Sequence, residues 1–230
     1  MATTWEATFI NASTAQTSIA MWADPGGGAA LIWLSAFLAP NTFTAFNWQF
    51  AYEFVWAYTG LLTPGKTIFP AQRLDMTADM TTARLQPDGQ GSYELVPVQP
   101  APSNPPGSFA MQFDNNLPPG TLSAGINLKI QSGMGQPGSA VSILPVSPGG
   151  TATWLPPTKY CAGYGALVQG QYAPPAIAAQ DPVSVDFATG TTVILMLDQT
   201  NVLRQITNAH AAAVVKDMIM RPGLTRDGQM

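Results

Sequence analysis

The stretch Phe46-Asn47-Trp48-Gln49-Phe50-Ala51-Tyr52-Glu53-Phe54-Val55-Trp56-Ala57-Tyr58 decides the fold class. Every even position carries an aromatic ring, and the odd positions are smaller or polar. A period of two belongs to a β-strand, whose side chains alternate between its faces. In a helix, steps of two turn the chain by about 200°, which puts the rings on opposite sides and leaves several in water. The stretch therefore reads as a strand with one buried face. Strands usually run about 5–6 residues, so a bend, bulge or twist is expected within this longer one. Glu53 falls on the face opposite the rings and reads as a solvated strand residue. The alternative is a buried functional carboxylate in a cleft.

Outward from this stretch the same alternation recurs. Trp5, Ala7 and Phe9 share a face, as do Ile19 and Met21, and Tyr93 and Leu95 up to Pro97. So do Phe109, Met111 and Phe113; Ile126, Leu128 and Ile130; Val141 and Ile143; and Val183, Val185 and Phe187. Thr192 to Leu197 is a continuous apolar run, the pattern of a central strand covered on both faces. Between the runs lie Asp24-Pro25-Gly26, Thr63-Pro64-Gly65, Pro87-Asp88-Gly89, Pro118-Pro119-Gly120 and Pro148-Gly149-Gly150. In these turns Pro fixes φ and Gly accepts positive φ. Short strands at this spacing predict an all-β protein, an antiparallel β-sandwich of jelly-roll type. One short C-terminal helix is expected over Asn208–Met220, ahead of Arg221-Pro222-Gly223. The chain reads as one domain, 1–230, crossed by a Pro-rich loop at 99–106 and ending in a short tail, 221–230.

Composition agrees. The chain has 230 residues, 46% of them apolar and 10% charged. Ordinary domains carry about 25% charge, so Thr, Ser, Gln, Asn, Ala and Pro must cover much of this surface. The 21 Gly and 21 Pro exclude a helical bundle, and the apolar content excludes disorder. Net charge is −4 without a basic cluster, so no electrostatic footprint for nucleic acid exists. The longest apolar stretch, Gly28 to Ala39, falls short of the roughly 20 residues of a membrane span. The first residues show no basic and apolar signal-peptide pattern. Cys161 stands alone, so no intrachain disulfide forms. These features suit the cytoplasm, or export by a route that reads no N-terminal signal.

Reactive groups are sparse. His210 is the only histidine, and a hydrolytic triad usually takes its base from histidine. One His and one Cys, far apart, give no zinc pattern, and no Asp-x-Asp-x-Asp calcium loop occurs. Gly26-Gly27-Gly28 and Gly163-Tyr164-Gly165 match neither a dinucleotide fingerprint nor a P-loop. No catalytic residue, cofactor or metal is expected, and His210 and Cys161 are expected to be dispensable. Trp22, Trp33 and Trp154 border turns and are the candidate rings for stacking a ligand.

The run Trp48 to Trp56, followed by Thr59-Gly60, Pro64-Gly65, Phe69, Ala71 and Gln72, resembles the RhiA-type rhizosphere-induced proteins. Phe9-Ile10-Asn11-Ala12-Ser13 is similar to the way such chains begin. The likeness is densest over residues 5–72. It implies a soluble bacterial protein made without a signal peptide, abundant under population-density control and without an established activity. It carries over no catalytic residue. The resulting expectation is a non-enzymatic, self-associating structural protein, a homo-oligomer or larger assembly. The alternative is a module that binds a glycan or a small apolar molecule.

Overall fold

The computed structural model describes residues 4–23, 29–63, 65–99, 104–130, 140–172, 182–185, 187 and 190–220. In chain order these form β1 (Trp5–Asn11), β2 (Thr17–Ala23), β3 (Ala29–Ala30), β4 (Ile32–Leu38), β5 (Thr42–Tyr58) and β6 (Gln72–Asp75). There follow β7 (Thr82–Pro87), β8 (Tyr93–Pro97), β9 (Phe109–Phe113), β10 (Leu122–Ile130), β11 (Ala140–Pro145) and β12 (Thr151–Trp154). The last elements are β13 (Tyr160–Gly165), β14 (Val183–Val185), β15 (Thr192–Leu197), β16 (Leu203–Ile206) and α1 (Asn208–Met220). The chain is thus all-β with one C-terminal helix, which spans the residues expected of it. The turn at Asp24–Gly28, residues 100–103 of the Pro-rich loop and the tail 221–230 lie outside the described residues.

Among the described residues the strands form three sheets. The largest has the order β16-β15-β1-β5-β10-β11-β3, with β6 also paired to β5. The two smaller ones run β12-β9-β7-β8 and β14-β13-β2-β4. The ladders are antiparallel except for β1–β15 and β7–β9, which are parallel, so the sandwich is mixed rather than wholly antiparallel. Within one sheet, β10 and β11 approach so closely that a Cβ at Gly125 would collide with the carbonyl oxygen of Ser142.

β5 runs 17 residues and carries the expected irregularity. Trp48 pairs with Ile130 and Tyr52 with Leu128, so four steps on β5 match two on β10. This bulge lets one long strand serve two smaller sheets. Ahead of it, Trp48 meets Trp33 of β4 edge-on at 4.8 Å and Phe187 at 5.5 Å. Beyond it, Tyr52 and Phe54 meet Phe109 of β9 at 5.3 and 6.4 Å, and Trp56 meets Tyr93 of β8 at 5.7 Å. All belong to one apolar cluster between the large sheet and the two smaller ones. Trp33 Nε1 donates to the Leu128 carbonyl at 3.2 Å, which satisfies that buried indole, whereas Nε1 of Trp48 beside it has no hydrogen-bond partner. Two polar stitches add to the packing. Gln72 Oε1 accepts from Trp56 Nε1 at 3.1 Å and from the Leu95 amide at 2.6 Å, which ties β6, β5 and β8 together.

Trp48, Phe54 and Trp56 are buried, and Phe46 and Tyr52 pack half-buried against the same cluster. Tyr58 emerges at 59% exposure, and the Phe50 side chain lies outside the described residues. The one-face reading fails on the odd side. Glu53, Val55 and Ala57 are buried too. The cause is the chain after β5, which folds back over that face. Ile68 joins Val55, Ala57, Leu31 and Ile143 in a second cluster. The covering segment is held by Ile68 N–H to Gly170 O at 2.9 Å and Gly170 N–H to Ile32 O at 2.8 Å. Farther along the same outer face, α1 packs Ala211, Val214, Val215 and Met218 on Ile10, Ile194 and Met196.

Removing a wholly buried ring leaves a cavity that close-packed neighbours fill only in part. Phe54→Ala is therefore expected to lower unfolding free energy by about 3–5 kcal/mol in chemical denaturation. A loss under about 1 kcal/mol would place the ring outside the working core.

Candidate functional site

A ring that stacks on a ligand must show solvent one face. Trp22, Trp33 and Trp154 are 6%, 0% and 5% exposed, so none of the three does so in this conformation. Trp33 is central to the aromatic cluster, and Trp22 lies over Gly163, whose missing side chain makes room for the indole. Among the described residues the exposed aromatics are others: Phe37, Phe43, Tyr58 and Phe69. Tyr58 shares the period that buries Trp56. Its place at the very end of β5 is the signal that sets it apart.

Among the described residues Glu53 is the buried carboxylate, at 7% exposure, and the solvated reading is overturned. It lies in a row across the large sheet, opposite Asp75 on β6 and Asn127 on β10. Asn127 Nδ2 donates to Glu53 Oε2 at 2.6 Å, and Arg73 approaches the same oxygen at 3.4 Å. Lys129 lies 3.4 Å from Oε1 and 2.6 Å from Asp75 Oδ1. Two acids face two bases, so the buried charge is compensated, as an ion in a sheet interior must be. The Lys129 hydrogen bond holds the Asp75 carboxyl below its ordinary range, and Asp75 holds the Lys129 ammonium above its own. This arrangement registers β6 against β5 and β10. It presents no free base to a substrate.

Asn11, Thr59 and Lys66 are engaged within the fold in the same way. Asn11 is fully buried; its amide donates to the carbonyls of Ala15, Leu38 and Ala39, and its oxygen accepts from the Ser13 amide and hydroxyl. Thr59 and Ser123 share a buried hydroxyl pair, and Lys66 Nζ donates to the Thr59 carbonyl. Burial pushes the Tyr52 hydroxyl up to about 12 and raises Tyr160 as well, so both remain neutral at ordinary pH.

His210 lines a groove of about 440 Å³ between α1 and the ends of β1 and β15, with Met196, Asp198, Val214 and Asp217. Asp198 is occupied: it accepts from the Thr200 hydroxyl and amide, the Val202 amide and Arg204. Those bonds, the Thr200 hydroxyl foremost, hold its carboxyl below the ordinary range. Cys161 is half-buried on β13. Among the described residues, no group of three or more His, Cys, Asp or Glu comes together to hold a metal.

The family model that matches is RhiA, over residues 2–206. The chain belongs to the RhiA family. No curated protein and no solved structure matches it. The RhiA match ends at the close of β16, so α1 and the side of the groove that it forms lie beyond it. Asn11, Ser13, Thr59 and Gln72, which are among the residues that carry the resemblance to RhiA-type chains, all make hydrogen bonds within the fold.

The sign of a stability change separates a structural carboxylate from a functional one. Catalytic groups are commonly held at a cost to stability, which their removal recovers. Glu53→Gln keeps the shape and removes the charge that faces Arg73 and Lys129. The expected loss is about 1–3 kcal/mol in denaturant titration. A gain would mark Glu53 as a strained functional residue.

Proposed function

We propose that this RhiA-family chain is a non-enzymatic structural protein that acts by self-association. One observation carries the reading. Two sheet-edge strands, β4 and β12, contain no charged residue, and each leads to a large apolar side chain in water. Phe37 on β4 is 68% exposed and Leu155, just after β12, is 67% exposed. Natural edge strands are usually blunted by charge, proline or a covering loop, because open backbone groups pair with other chains. On β4 a loop covers the Ile32 end through Gly170, and the Phe37 end has no charge to blunt it. Leu61 and Phe69, at 81% and 77% exposure, add apolar area elsewhere.

The chemistry described above supports the same reading. The buried carboxylate is neutralised, the buried tyrosines are neutral, and Asp198 is committed to a turn. No described helix is long and apolar enough to cross a membrane. A lone cysteine suits a reducing compartment, and the cytoplasm is the proposed location.

Contacts between uncharged edges depend little on Coulomb attraction, so salt should leave them intact. In sedimentation velocity the chain is expected as an oligomer, both at low salt and at about 1 M, where the Debye length is about 3 Å. Phe37→Lys and Leu155→Lys are expected to shift it toward monomer without unfolding it. A monomer at every concentration contradicts the reading, and dissociation in high salt contradicts its basis.

A further inference from the structure

At the end of β5 three rings climb from the core to the surface. Trp56 is 2% exposed and meets Tyr58 at 4.9 Å and 74°. Tyr93 of β8 lies 5.7 Å from Trp56 and 6.0 Å from Tyr58. Tyr58 itself is 59% exposed, with its hydroxyl 3.4 Å from Ser92 Oγ. Ser92 sits in a fixed turn: Asp88 Oδ1 accepts the amides of Gln90 at 2.8 Å and Ser92 at 2.9 Å, and the Asp88 amide donates to Ser92 O at 3.0 Å. The Tyr58 ring is therefore braced by two aromatic neighbours and anchored at its hydroxyl. Rigid, amphipathic tyrosines make good contact surfaces because little rotamer freedom is lost when something lands on them.

We propose that Tyr58 is a stacking platform for a neutral pyranose glycan, with Ser92 and the Asp88 turn supplying hydrogen-bond acceptors at its rim. The reading goes beyond self-association and uses neither β4 nor β12. A pyranose offers one face of C–H groups, which packs on the face of an aromatic ring. Its equatorial hydroxyls are donors, and they need oxygen acceptors beside the ring. The ring is Tyr58, and the acceptor beside it is Ser92 Oγ, 3.4 Å from the Tyr58 hydroxyl, in the turn that Asp88 holds. The amides of Gln90 and Ser92 keep the Asp88 carboxyl below its ordinary range, so the rim is negative and disfavours acidic sugars.

The test titrates the full chain with cellohexaose, chitohexaose and maltohexaose, following tryptophan emission, to which Trp56 beneath the platform contributes. At least one hexasaccharide is expected to give a saturable change. Binding should weaken at least tenfold in Tyr58→Ala and in Tyr58→Leu, which keeps apolar bulk but loses the ring, and should persist in Tyr58→Trp. If the Ala variant fails to fold, the Leu and Trp variants decide. Absence of saturable binding to all three sugars overturns the proposal, as does equal binding by Tyr58→Leu. Sedimentation of Tyr58→Leu should match the parent chain. A change there, with sugar binding intact, would assign the ring to a contact between copies instead. A monomeric parent chain that binds sugar through Tyr58 would sink self-association and leave the platform standing.

Discussion

Burial of β5 on both faces is the constraint from which the rest of the structure follows. Its even face must be covered along its length, and one small sheet is too short to do so. The bulge between Trp48 and Tyr52 changes the register and lets the strand address two sheets in succession. Trp48 faces the sheet of β4 and β13, and Phe54 and Trp56 face the sheet of β7, β8 and β9. Edge-on ring contacts dominate between these layers, the geometry that aromatic quadrupoles favour.

The odd face explains the polar architecture. Val55 and Ala57 are covered by Ile68 and its neighbours, and Glu53, on the same face of β5, is buried as well. An unpaired carboxylate there would cost several kcal/mol. Arg73 on β6 and Asn127 and Lys129 on β10 meet that need, and in doing so fix the neighbouring strands in register. Gln72 performs the matching task on the other face by accepting from Trp56 and Leu95. The titratable chemistry of the sheet centre thus serves the fold.

Legibility in the sequence followed range. The rings of β5 and the C-terminal helix could be read because period two and an unbroken Ala-rich run are local signals. The bulge was foreseeable from strand length alone. Burial of the odd face at Val55 and Ala57 was not, because it depends on Ile68 and on the segment 170–172 that holds it, an irregular pair of segments far apart in the chain. The parallel pairing of β1 with β15 joins two ends of the chain and leaves no local mark. Trp33 follows a turn in sequence, yet it sits against Trp48 and Tyr160 at the centre of the core. Tyr58 is hidden in the sequence for the opposite reason, since its pattern is that of a core residue.

Native-state hydrogen exchange tests the central role of β5 most directly. Elements buried on both faces open only when the whole domain unfolds, whereas edges open locally. The amides of Glu53 to Ala57 and their β10 partners are predicted to exchange last, with opening free energies equal to the global value. Those of β12, β16 and α1 are predicted to exchange earlier through local opening. Exchange of the β5 amides as early as those of α1 would contradict the account.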